Sequence, residues 1–259
     1  MTKFDDINAS TATPATSALS IDAHPSSIEA LGIALTADDG PESMTYAAGR
    51  HALRELTMAA SEMDAANVAA RQKHGVGTFV VHGRTSTKAL PPEEARALAA
   101  AMQTRFDRAA KHFDANLGAV SQTVDALGKR IDSTLATTQR DAMAASIASD
   151  LRALARSQKQ PLAYVLGAIA EDDIDTVRAV LNAPPRLSGL NKDDVALIRE
   201  KAAQRFASAD FGKLAAAKNL HAHLTRASES FVKQYMKMRP SAPDDAATKA
   251  RDKLREAAQ

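Results

Sequence analysis

Residues 105–135 read RFDRAAKHFDANLGAVSQTVDALGKRIDSTL. Their large apolar side chains are Phe106, Phe113, Leu117, Val120, Val124, Leu127, Ile131 and Leu135, three or four apart, with Ala109 in the one gap. That spacing is the period of an α-helix with one apolar face. The phase extends back to Leu98 and Met102 and forward, past Gln139, to Met143, Ile147, Leu151 and Leu154. The mean step from Leu98 to Leu154 is about 3.7 residues, nearer to an eleven-residue repeat than to the 3.5 of a left-handed heptad coil. Pro91 and Pro92, followed by Glu93 and Glu94, form a strong helix start: proline suits the first turn, and carboxylates suit the positive end of the helix dipole. The expectation is one helix of about 65 residues, roughly 100 Å long, closed by SQKQP (157–161). A break near Thr137-Thr138 is the main alternative.

The flanking sequence is helical too, with one exception. Tyr46, Leu53, Leu56, Met63 and Val68 share a face across 41–72, although Gly49 interrupts it. HGVGTFVVHGRTSTKALPP (74–92) changes character: glycines bracket a β-branched and aromatic run from Thr78 to Val81, which predicts a strand. His82-Gly83 would turn it into a hairpin with RTST. After residue 160 four shorter helices are predicted. They are PLAYVLGAIA (161–170), a helix capped by Asp172 or Asp173 and stopped by Pro184 and Pro185, one capped by Asn191 with Asp194 three residues on, and one over 209–239. In the last, Phe211, Leu214, Leu224, Phe231, Tyr235 and Met238 are the expected core positions. Ser26 and Glu29 have capping-box spacing, so 26–35 reads as a short helix. The fold class is therefore mainly α: an elongated, coiled-coil-like helical bundle with one very long helix and a small β-strand or hairpin element. The expected division is a flexible acidic segment (1–40), a long-helix region (41–158) with its strand element at 77–88, a compact helical region (159–239) and a flexible tail (240–259).

Composition narrows the chemistry. Of the 259 residues, 45% are apolar but only 4% aromatic, and Trp and Cys are absent. Alanine-rich helices pack closely with such a composition, whereas sandwiches and barrels need more β-branched and aromatic side chains. With no cysteine there is no disulfide, no thiolate nucleophile and no Cys-based zinc site. The first twenty residues lack a basic and then apolar leader, so no signal peptide is expected, and no apolar run is long enough for a membrane span. Residues 1–40 hold Lys3 against six carboxylates, and the body between 41 and 239 is correspondingly basic. That asymmetry suits an acidic protein surface or nucleic acid.

Site-like patterns are few. Glu171, Asp172, Asp173 and Asp175 lack the glycine and terminal glutamate of a calcium loop and suit helix capping. His221 and His223 are two apart on a helix and cannot share one metal. His51 and Glu55 have chelating spacing without a third ligand. No phosphate loop, nucleophile elbow or zinc-protease motif occurs. The reading is therefore no enzyme, no catalytic residues, no cofactor and no metal. Residues 211–239 carry Lys213, Lys218, Arg226, Lys233, Lys237 and Arg239 against Glu229 alone, and these six are the candidate contacts for nucleic acid or an acidic partner.

The apolar stripe itself is the other candidate. Left exposed it would make a patch that monomers avoid. Leu98, Met102, Phe106, Phe113, Leu117, Val120, Val124, Leu127, Ile131 and Leu135 are accordingly expected at an interface with another copy or a structural partner. One stretch, AIAEDDIDTVRAVLNAPPRLSGLNKDDVALIREKAAQRF (168–206), resembles a segment of uncharacterised phage and prophage structural-module proteins of GC-rich bacteria: a short helix, a VLNAP-like stop, an LSGL link and a charged helix. The resemblance covers about 40 residues and implies a virion or virion-assembly role, such as a minor head, connector-associated, scaffold or internal protein, and no catalytic residues. It places the chain in a virion or the bacterial cytoplasm. The alternatives are a secreted bacterial effector or other host-interacting helical protein, on the strength of the Ser/Thr-rich N-terminus, and a DNA-binding organiser using the basic helix.

Overall fold

The computed structural model describes residues 25–29, 31–36, 40–81, 84–136 and 142–240. The chain is mainly helical, with one long helix and one β-hairpin. A 3-10 turn (Pro25–Ile28) and a single helical turn, α1 (Ile33–Thr36), precede α2 (Pro41–Lys73). Strands β1 (Gly77–Val81) and β2 (Arg84–Lys88) follow, then α3 (Pro92–Leu135), α4 (Ala142–Ser157), α5 (Pro161–Ala170) and α6 (Ile174–Leu181). A second 3-10 turn (Pro185–Ser188) leads into α7 (Lys192–Phe206) and α8 (Ser208–Met238).

Local chemistry explains the boundaries. Gly75 takes a left-handed φ of 57°, and the Val76 N–H reaches the Arg71 carbonyl at 2.8 Å, which is a Schellman stop for α2. The hairpin is antiparallel, with Gly77 opposite Lys88 and Val81 opposite Arg84, so two residues connect the strands; 82–83 lie outside the described residues. Asp173 caps α6 by accepting from the Thr176 N–H at 3.1 Å. Asn191 and Asp194 form a reciprocal capping box on α7, as their spacing predicts.

The long helix is shorter than its periodicity suggests. It ends at Leu135, and α4 begins afresh at Ala142; residues 137–141 lie outside the described residues. One side chain of α6 and that of its C-cap residue donate to the last carbonyls of α3. Arg178 donates to the Thr134 carbonyl through Nε at 3.2 Å and Nη2 at 2.8 Å, and Asn182 Nδ2 donates to the Leu135 carbonyl at 3.0 Å. A cation at the negative end of a helix, satisfying orphan carbonyls, is a favourable stop.

The chain divides into two compact units built from distant segments, which cuts across the consecutive division expected from composition. The described part of one comprises residues within Arg54–Lys111 together with 227–240. Leu56, Met63, Leu98, Met102, Phe231, Tyr235 and Met238 are buried there. The Phe106 ring stacks on Phe231 at 5.3 Å and on Tyr235 at 4.3 Å, a geometry that adds to simple area burial. At the base of the hairpin Lys73 and His74 both meet Glu94, at 3.1 and 3.3 Å, which ties the end of α2 to the start of α3.

The other unit comprises the described residues of Pro25–Leu53 and His112–Arg226. Ile131, Leu135, Ala155, Val165, Ile169, Val177, Val180, Leu181, Leu190, Ile198 and Ala202 form one apolar core. Gly49 is explained by a close approach: a Cβ there would stand 3.2 Å from two Leu220 methyl carbons. Arg130 of α3 links three helices. It donates to buried Glu42 of α2 at 2.8 Å and, through Nε and Nη2, to both carboxylate oxygens of Asp210 on α8. Residues 25–36 are part of this unit rather than a flexible segment. Ile28 and Leu35 are buried, Ser27 Oγ lies 2.8 Å from His223 Nε2, and Gly32 abuts the Tyr46 ring so closely that any Cβ would overlap it. The expected continuous helix over 26–35 is thus a 3-10 turn and one helical turn separated by a bend. Residues 1–24 and 241–259 of the expected flexible ends lie outside the described residues.

Candidate interaction surfaces

The stripe on α3 is where the sequence places a partner interface. Leu98, Met102, Phe113, Val120, Leu127, Ile131 and Leu135 are buried within this chain, and Phe106, Leu117 and Val124 are half-buried. Seven of the ten therefore belong to the core, and the chain alone removes from water the surface that seemed to require another molecule. The periodicity predicts a buried face, and most of that face is covered within this chain. Phe231 and Tyr235 of α8 stack on Phe106, while Ile131 and Leu135 belong to the apolar core that holds Ala155, Val165, Val177 and Ile198.

The continuation of the stripe has a different fate. Helix α4 is a separate element from Ala142 onward. It turns Ala148 and Ala155 inward and packs against α6 and the second 3-10 turn. Met143, Ile147 and Leu154 are left outside, 75%, 49% and 46% exposed. Spaced four and seven apart, they fall within about 40° of one another around the helix. Leu187, on the 3-10 turn that packs against α4, is exposed as well. Alanines inside and large apolar side chains outside invert the usual arrangement of an amphipathic helix. A patch of a few hundred Å² is the size at which an exposed apolar surface on a monomer is often functional.

Helix α8 offers a surface of opposite character. Lys218, Arg226, Lys233, Lys237 and Arg239 are all exposed, and none forms an ion pair among the described residues. Lys213 differs from the other five: it is half-buried and already engaged. No aromatic side chain with described burial is exposed, so cationic contacts here would meet phosphate or carboxylate groups without base stacking.

The remaining sequence patterns resolve into structure. Asp173 is a cap, and Asp172 is held in a left-handed conformation, φ 62°, by a two-pronged ion pair with Arg205 at 2.7 Å on both arms. The Arg205 donors keep the Asp172 carboxyl below the usual carboxylate range. His223 is buried against Ser27, while His221 is half-exposed. No group of three potential metal ligands converges among the described residues, and none of the helices is long and apolar enough to cross a membrane. The exposed face of α4 was missed by sequence reasoning because its residues extend the α3 phase in the sequence. Comparison with protein-family models, curated proteins and solved structures finds no match for this chain.

Proposed function

We propose that the protein is a non-enzymatic structural or assembly component that self-associates or docks on another structural protein through an apolar helix face. The supporting observation is α4, which keeps Met143, Ile147 and Leu154 in water while burying alanines. The contact thus moves from the α3 stripe to its displaced continuation. The virion setting rests on the resemblance of 168–206 to phage structural-module proteins; in this structure that segment forms the core and supplies Arg178 and Asn182 to the end of α3. Apolar burial drives such an association, with roughly 1.5–3 kcal/mol for each large side chain fully removed from water. The test is light scattering over a concentration series, with the full chain and a Met143→Ser, Ile147→Ser, Leu154→Ser variant. The expected result is mass that rises with concentration in the parent chain and stays at one chain in a variant of unchanged helicity. Equal masses for both proteins, at every concentration and with any added structural partner, would exclude α4 as the contact.

A second reading has its own observation. Lys218, Arg226, Lys233 and Lys237 of α8 and the following Arg239 are exposed and form no ion pair among the described residues, which suits an acidic protein surface or a nucleic-acid backbone. Such binding would weaken steeply as salt is raised and would show no base preference.

A further inference from the structure

Helices α3 and α8 enclose a shallow hollow of about 130 Å³ lined by Ser121, Val124, Lys218 and His221. Lys218 and His221 are three apart on α8, and Ser121 and Val124 are three apart on α3, so each pair projects from one side of its helix. Among the described residues none of the three polar side chains has a hydrogen-bond or ion-pair partner. Thr45 and Thr123, by contrast, hydrogen-bond each other at 2.7 Å. The residues lining the hollow thus offer a Lys ammonium, a Ser hydroxyl and an imidazole as donors, and no carboxylate is among them. Asp125, one turn beyond Ser121, forms no ion pair with Lys218 among the described residues.

We infer that this hollow binds a small oxyanion of the phosphate class, either free phosphate or the phosphoryl group of a small phosphoester. Lys218 supplies the charge and Ser121 and His221 the directed hydrogen bonds, while Val124 forms an apolar wall. This differs from a general cationic face on α8, because two of the donors are uncharged or only conditionally charged and one comes from another helix. A saturable, stereochemically defined site follows, where a cationic face gives only a salt-dependent attraction.

The experiment is a titration of the full chain at constant ionic strength, read from the histidine ring resonances by NMR, with His221 assigned through His221→Gln. Inorganic phosphate, glycerol phosphate and acetate are the three probes. Phosphate is expected to shift the His221 signals saturably, with a dissociation constant of the order of a millimolar. Losing one charge-assisted donor in Lys218→Met should weaken binding about tenfold, and Ser121→Ala should weaken it less, both with unchanged helicity. Glycerol phosphate binding at least as tightly as phosphate assigns the site to a phosphoester; phosphate binding alone assigns it to the free ion. The inference is overturned if the shifts do not saturate, if Lys218→Met binds as the parent does, or if acetate binds as tightly as phosphate.

Discussion

Arg130 shows how much one side chain can organise. Its guanidinium spans Glu42 and Asp210, and the two-pronged bond to Asp210 raises its affinity for the proton. The Glu42 side chain is only 9% exposed. Arg130→Met would leave that carboxylate without its cation, and partly buried pairs broken on one side are costly. Because Arg130 itself is half-exposed, the loss should be about 1–3 kcal/mol in urea denaturation, toward the lower part of the range for buried pairs. A loss below about 0.5 kcal/mol would show that water replaces the guanidinium. Asp172 gives a pH signature. Its folded carboxyl is held below the ordinary range by hydrogen bonds from Arg205, so the folded state binds fewer protons than the unfolded one near pH 4. The contribution is present above the ordinary carboxylate range and fades as pH falls through the lowered value. Asp172→Asn tolerates the left-handed backbone, so it should be less stable than the parent at pH 7 and equal to it near pH 2. A gap that persists at low pH would make the role steric. These two sites also mark what a sequence discloses at this scale. Asp173 and Asn191 were readable because a cap acts within three residues. The Arg130 network joins residues 80 and 88 positions apart and leaves no local trace.

At the scale of elements, α3 was read correctly in its start, its face and its burial, because proline chemistry and helical period are local properties. Its end was not, because the stop is made by Arg178 of α6 and by Asn182, the residue that caps α6, more than forty residues later. The VLNAP-like stretch that reads as a helix stop therefore finishes a second helix as well as its own. Arg178→Ala with Asn182→Ala should cost about 1–3 kcal/mol and speed amide exchange in the last turn of α3 specifically. Exchange that rises equally through all of α3 would instead indicate global loss of stability. The division between core and surface gives a sharper contrast. Leu127→Ala, at a position 1% exposed, should cost about 2–4 kcal/mol by loss of burial and cavity formation. Ile147→Ser, on the outer face of α4, should change stability by less than about 0.5 kcal/mol and act on association alone. Thermal or urea unfolding of the two variants separates them, and similar losses would place Ile147 in the core.

For the whole molecule, composition and the absence of cysteine fixed the class: alanine-rich helices packed around aliphatic side chains. Composition did not reveal that the chain's two compact units are each assembled from segments far apart in sequence, since composition and helical period are local and do not say which helices meet. The same gap led from a buried stripe to an external partner. The α3 stripe is covered by its own chain, and on the function proposed above contact with other molecules passes to α4. Amide hydrogen exchange of the full chain, followed by mass spectrometry over a hundredfold range of concentration, tests this directly. Segment 98–135 should be slow to exchange even at the lowest concentration, and segment 142–157 should become slower as concentration rises. Protection of 98–135 that appears only at high concentration, with 142–157 indifferent to it, would return the stripe to the interface and leave α4 without that role.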